Sequence, residues 1–156
     1  MPTEVTVVTR THDAEELYRL FRSAMEPYVN AARGTPWNDE RERAQFLTQL
    51  APASVQLILL KNQVIGFIDF RAGDNGCLLH TMVIAPEWQS SGIGSAVLRQ
   101  LKAKSDRIAL AVLKTNPRAR HFYEQAGFRE CGSTEHHCQM AWVSGVTMGT
   151  ERNRQS

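Results

Sequence analysis

Gln89–Gly94, QSSGIG, stands directly behind the apolar run HTMVIAPEW and before the amphipathic segment SAVLRQLKAKS. Glycine in a helix costs about 1 kcal/mol relative to alanine, so two glycines at a helix start need a reason. Helix N-termini carry unpaired N–H groups and a partial positive charge. Glycines in the entering turn let those amides approach an anion closely. Two familiar phosphate loops are excluded by spacing. A dinucleotide fingerprint needs a third glycine where Val97 stands, and a Walker loop needs Gly-Lys-Ser/Thr where Gly94 precedes Ser95 and Ala96. What is left is strand, Q-x-x-G-x-G, helix. That pattern fits an anion cradle, and it also fits a plain tight turn.

Other polar residues stand out by their setting. His80 and Thr81 interrupt the apolar segment CLLHTMVIA. A histidine there can relay protons near neutral pH, or be a hydrogen-bonded core residue. Asp69, on the preceding strand segment, is a further polar candidate. His136 and His137 are adjacent; on a strand they point to opposite faces and form no simple paired metal site. The three cysteines are odd in number and contain no CxxC pair, which predicts free thiols in a reducing compartment. No metal site is expected.

The elements that must position these groups come from 156 residues, a length that suits one domain with a core of its own. The composition, 42% hydrophobic and 22% charged, is that of a globular protein. A net charge of +2 with scattered basic residues argues against nucleic acid as a partner. No apolar run approaches the ~20 residues of a membrane span, and no signal pattern opens the chain. The expectation is a soluble, cytoplasmic protein.

EVTVVTR alternates like a strand, and THDAEELYRLFRSAM reads as a helix capped by Thr11 or Asp13. EPYVNAARGTPW, with two prolines and a glycine, predicts a loop, and NDERERAQFLTQL a second helix capped by Asn38 or Asp39. SVQLILLK and QVIGFIDFR are strands joined around Asn62, and GDNG turns into CLLHTMVIA, whose near-uniform apolarity predicts burial on both faces. A third helix follows QSSGIG. RIALAVL is a buried strand, NPRARHFYEQA a helix with Asn116 as N-cap, and FREC and HHCQMAWV the last strands. The order β-α-α-β-β-β-α-β-α-β-β predicts an α/β (α+β) fold, a mixed, mostly antiparallel twisted sheet of about seven strands with helices on both faces. Residues 1–143 are expected to form the single domain and 144–156 a polar tail.

Together, VIAPEWQSSGIGSAVL and NPRARHFYEQAGF resemble the two signatures of the GNAT superfamily, the Gcn5-related N-acetyltransferases. The first is similar to that family's acetyl-CoA pyrophosphate loop. The second matches its Asn-x-x-Ala-x-x-Phe-Tyr-x-x-x-Gly-Phe signature through Asn116, Ala119, Phe122, Tyr123, Gly127 and Phe128. The element order matches as well, so the resemblance covers most of residues 4–143.

The resemblance implies an N-acetyltransferase that moves an acetyl group from acetyl-CoA to a primary amine of a small molecule. A protein or peptide acetyltransferase and a non-catalytic acyl-CoA-binding module are the alternatives. It implies that the backbone of Ser90, Ser91, Gly92, Ile93 and Gly94, with Ser95, holds the pyrophosphate while Gln89 shapes the loop. The strand ending Met82-Val83-Ile84 would splay from the strand ending Val112-Leu113, and pantetheine would lie in the gap. Asn116 would contact that arm, cap its helix, or do both. Tyr123 would protonate the leaving thiolate; core packing is its alternative role. The family often carries Arg, Lys or Gly where Ser90 and Ser91 stand. Arg118 and Arg120 could restore the missing charge, or be solvated helix charges. Some members carry a glutamate base where Leu78 stands, which leaves His80, Thr81, Asp69 or a water for that role. Tyr28 and Trp37, in the segment between the first helices, and His136 near the last strands are the expected acceptor contacts, with a buried staple as the other reading of Trp37. The terminal strands leave room for a homodimer.

Overall fold

A computed structural model describes residues 4–145. The tail expected from Ser144 lies, from residue 146 onward, outside the described residues. Chain order is β1 (Val5–Val8), α1 (Ala14–Arg33), α2 (Asp39–Gln49), β2 (Val55–Leu60), β3 (Gln63–Gly73), β4 (Gly76–Ile84), α3 (Ile93–Lys102), β5 (Arg107–Leu113), α4 (Pro117–Gln125), β6 (Arg129–Ser133) and β7 (His137–Val143). The seven strands form one sheet in the order β1-β2-β3-β4-β5-β7-β6. Every pairing is antiparallel except β4 with β5, so the sheet is mixed and mostly antiparallel, as expected.

The caps read from the sequence are in place. Asp13 accepts from the Glu15 amide, Asn38 from Arg41 and Asn116 from Ala119. The first helix is longer than expected. The prolines and glycine around Pro27 and Tyr28 predict a loop, yet α1 runs on to Arg33 and stops at Gly34, whose φ of 73° gives the left-handed cap. Pro27 removes one helix hydrogen bond. The helical stripe nevertheless continues beyond it through Tyr28, Val29 and Ala32, and Thr115 Oγ1 donates to the Tyr28 carbonyl at 2.7 Å. Tertiary contacts outweigh the local break.

Two apolar layers sandwich the sheet. On one face α1 and α2 bring Leu17, Tyr18 and Phe46 onto Val55, Leu57, Leu59, Phe67 and Val83. On the other α3 brings Ile93, Val97, Leu98 and Leu101 onto Ile58, Ile68, Leu79, Ile108 and Leu110, with Tyr123 and Phe128 alongside. Leu79 and Val83 share the same parity on β4 but serve opposite layers. A bulge explains this: Asp69 pairs with Thr81 and Phe70 with Leu79, which leaves His80 as the extra residue. From that point the strand shows its other face to each layer.

β4 is not the doubly covered strand its composition suggests. Leu78 is 39% exposed, and His80, Thr81, Met82 and Ile84 are incompletely covered. The reason is its partner. β4 and β5 are paired only at Cys77 with Ile108 and Leu78 with Ala109. Beyond Leu79 the two strands part, and each keeps hydrogen bonds only on its outer side, β4 to β3 and β5 to β7.

Candidate active site

The parting of β4 from β5 opens a cleft through the middle of the sheet, and α3 begins at its mouth. Between strand and helix, a short turn at Pro86–Trp88 leads into Gln89, whose Nε2 donates to the Ile84 carbonyl at 2.9 Å. That bond ties the loop to the end of β4. Ser90 has φ 65° and Gly92, the N-cap of α3, has φ 84°. Gly92 brings no side-chain cap. Among the described residues no backbone carbonyl accepts from the amides of residues 90–95. A row of unpaired N–H groups at the start of a ten-residue helix is therefore open to an anion.

The two glycines do different work. Gly92 supplies a backbone angle that side chains rarely adopt, and nothing lies within 4 Å of the position its Cβ would take. A Cβ on Gly94 would meet Phe122 Cζ at 2.9 Å, so Gly94 lets α3 pack against α4.

A cavity of about 360 Å³ runs from this loop into the gap. Gln89, Ser90, Gly92, Gly94 and Ser95 line one end, and Met82, Val83, Ile84, Asn116 and Tyr123 the other. Ser91 and Ile93 do not face it with their side chains. The Ser91 hydroxyl donates to the Trp88 carbonyl, and Ile93 is buried in the core beneath. Arg118 borders the cavity and donates to the Ser90 hydroxyl. Arg120 faces elsewhere, paired with Glu130 at 2.7 Å. Asn116 spends its Oδ1 on the Ala119 amide at 3.1 Å, so its amide nitrogen stays available to the cavity it lines.

A second, larger cleft of about 790 Å³ lies on the α1–α2 side. The two spaces share Met25, Met82, Val83, Asn116, Ala119 and Tyr123. Tyr123 thus stands where they meet. Its ring packs on Phe122 and Phe128, with centroids 5.1 and 5.5 Å away. Among the described residues its hydroxyl has no hydrogen-bond partner, and no sealed-off polar atom lacks one, so the hydroxyl opens onto the cleft. Burial pushes its pKa far above the ordinary tyrosine value, and the group stays protonated.

His80 borders the larger cleft with its side chain 32% exposed. Its Nδ1 lies 3.0 Å from Thr81 Oγ1. Burial, helped by the Arg71 charge and opposed by Asp69, holds its pKa below the ordinary imidazole value. His80 is therefore neutral at pH 7 and can accept a proton. Asp69, fully buried, is engaged by the Arg71 guanidinium at 2.9 and 2.8 Å and by the Ala51 amide at 3.3 Å. That carboxylate anchors the sheet to the segment after α2 and does not reach the larger cleft.

Tyr28 lines the smaller cavity rather than the larger. Trp37, expected at the acceptor site, borders neither. Its Nε1 donates to Tyr18 Oη at 3.0 Å, it packs near Phe21, and the Arg22 guanidinium lies over its ring at 5.4 Å. It is a staple between α1 and α2. His136 borders the larger cleft, and so does His137. The expected opposite facing of this pair fails because β7 begins at His137, and His136 belongs to the turn before it. Among the described residues no group of three His, Cys, Asp or Glu side chains is placed to hold a metal ion. No described helix is long and apolar enough to cross a membrane.

Sequence reasoning missed the far wall of the larger cleft. Arg33 from α1 and Arg41, Glu42 and Gln45 from α2 line it. Glu42 is buried at 4% exposure. Nothing in NDERER distinguishes it from its exposed neighbours.

A family model described as the acetyltransferase (GNAT) family matches residues 14–128. No curated protein matches the sequence. Among solved structures, an acetyltransferase from Thermus thermophilus superposes with a TM-score of 0.69 at 22% identity, over 89% of this chain and 96% of that one. The PaiA N-acetyltransferase from Thermoplasma acidophilum, in complex with coenzyme A, gives 0.65 at 18%, over 90% and 99%. The ribosomal-protein-S18-alanine N-acetyltransferase from Escherichia coli gives 0.64 at 19%, over 90% and 95%. At these identities the likeness is one of fold.

Proposed function

Because the chain belongs to the acetyltransferase (GNAT) family, we propose that it moves an acetyl group from acetyl-CoA to the primary amine of a small molecule, by direct transfer in a ternary complex. The observation that carries this reading is the junction at Tyr123 of an amide-lined cavity with a second, separate cleft. One space suits a donor with an anionic end, and the other an acceptor.

Acetyl-CoA, when bound, supplies the thioester acyl group and a diphosphate. The chain's own residues fit such a molecule. The open amides of residues 90–95 and the Ser95 hydroxyl receive an anion, with Arg118 adding a positive charge beside Ser90. The inner side of β4 offers strand-like backbone groups to a slim, extended arm. A β4 amide near Val83 or Ile84 would meet the developing oxyanion. The Asn116 amide nitrogen adds a donor on the opposite wall.

Two proton problems remain, and two residues address them. Freeing an amine of pKa about 10 at pH 7 costs roughly 4 kcal/mol, and the nitrogen turns strongly acidic once it bonds the acyl carbon, at which point neutral His80 can take its proton. Tyr123 holds a donor towards the sulfur. A proton passing from tyrosine at about 10 to a thiolate at about 8.5 already moves uphill, and burial steepens the climb. Its role is therefore a strong hydrogen bond to the leaving thiolate rather than complete donation.

The size of the larger cleft, 790 Å³, favours a peptide end as the second reading of the acceptor. Thermal denaturation with coenzyme A, followed by thiol release from acetyl-CoA with a panel of amines, amino acids and lysine peptides, separates the readings. We expect a rise in Tm with coenzyme A and release with small amines. Tyr123→Phe is expected to lower turnover by about 10²- to 10³-fold, as for loss of one donor to a developing anion, while leaving coenzyme A affinity within about threefold. No rise in Tm sinks the donor site. A rise without release from any acceptor leaves a binding module, and release with peptides alone moves the enzyme to the second reading.

A further inference from the structure

The α1–α2 wall of the larger cleft, which Tyr123 also lines, carries an uneven set of charges. Arg33, at the end of α1, and Arg41, in the first turn of α2, both border the cleft, and Glu42 is the one carboxylate among its described lining residues. Glu42 is held by two guanidinium groups. Arg33 binds both of its oxygens, through Nε and through a 3.0 Å bond from Nη2, and Arg41 Nη2 adds a third contact at 3.2 Å. The side chain keeps 5% of its surface, and three of its roughly four lone-pair sites are taken, so it is poorly placed to receive an ammonium group.

The arginines differ in what they have left. Arg33 also donates to Gln45 Oε1 at 2.7 Å and is two-thirds covered. Arg41 makes only the Glu42 contact among the described residues and is 44% exposed. A guanidinium has five N–H donors in a fixed fork. Arg33, Arg41 and Glu42 together keep one net positive charge, and Arg41 presents its unused donors to the cleft. The other titratable side chains on the lining are Tyr123 and three histidines, and burial holds His80 and His137 below the ordinary imidazole value. The apolar part of the lining includes Phe21, Met25, Val29, Leu110 and Val112.

We propose that the acceptor is an amine that also carries a carboxylate, with the carboxylate held by Arg41 and the amine directed towards Tyr123. This rests on the acetyl-transfer reading and names the substrate class of the same site. The pair Arg33–Glu42 fixes the wall, and Arg41 does the selecting. Polycationic acceptors are disfavoured, since a second ammonium would meet an exposed arginine and a buried carboxylate already held by two guanidinium groups.

Three series of equal chain length test it: ω-amino acids, n-alkylamines and α,ω-diamines, with two to eight carbons. The kcat/KM for the best ω-amino acid is expected to exceed that of the matching alkylamine by about tenfold or more, and the diamine to fall lowest. In Arg41→Gln the carboxylate-to-alkyl ratio is expected to shrink to within about threefold, and Arg41→Lys to retain part of it. A ratio near one in the wild type, a preference for the diamine, or a ratio that Arg41→Gln leaves intact overturns the proposal. If no acceptor of any kind releases thiol, the transfer reading has failed instead, and binding decides the site. With coenzyme A present, a greater rise in Tm with the ω-amino acid than with its alkylamine, abolished in Arg41→Gln, upholds the carboxylate site. Equal or absent shifts overturn it.

Discussion

The two ends of the cleft are built from different materials. At the α3 end the ligand-facing groups are backbone: open amides, a left-handed Gly92 and the unpaired side of a strand. At the α1–α2 end they are side chains: two arginines, a buried glutamate and three histidines. A backbone site depends on conformation, so a glycine in the right place announces it. A side-chain site depends on which residue of several similar ones turns inward, which is settled by packing far along the chain. The first end suits a constant ligand, and the second can be rebuilt without disturbing the sheet.

The contrast can be broken most sharply at the side-chain end. His80→Gln is expected to lower kcat/KM by about 10²-fold at pH 7 if the imidazole is the base. In the wild type kcat/KM should rise with pH through an apparent pKa below the ordinary 6.5, because burial lowers the folded value and only the neutral ring accepts a proton. The variant should lose that limb. A limb that persists in His80→Gln assigns the base to water.

At the backbone end Gly92→Val sharpens the comparison. Nothing crowds the position, so the cost is that of a β-branched residue forced to positive φ, about 1–2 kcal/mol. Coenzyme A affinity by titration calorimetry is expected to fall about tenfold, with the acceptor KM unchanged at saturating donor. An affinity equal to wild type would mean the amides do not hold the ligand. The smallest effect is expected where a side chain intrudes on the backbone end. Arg118→Gln should weaken coenzyme A about threefold at low salt, and less at high salt, since the arginine is exposed and screened. A loss above tenfold would make this end, too, one of side chains.

The same contrast decides what the sequence makes legible. The order of elements along the chain, the caps at Asn38 and Asn116 and the turn after Trp88 rest on local rules, and the structure follows them. The extension of α1 through Pro27 does not, because a local breaker is outweighed by contacts with the segment after β5. Trp37 has the right composition for a binding residue, but its indole N–H found Tyr18 first. Glu42 and Arg41 are adjacent in a polar helix, and only the approach of Arg33 separates the buried one from the available one. The bulge at His80 is equally silent, since an extra residue in one strand shows only against its partner's register.

An open sheet ordinarily has two borders, its first strand and its last. Here the two-residue seam between β4 and β5 creates two more, deep within the molecule. Outer borders invite any passing chain to add a strand, which is a hazard. The inner pair lies between helical layers, away from the outer edges of the sheet. The protein thereby keeps the adhesive capacity of an unpaired strand while reserving it for thin, unbranched guests.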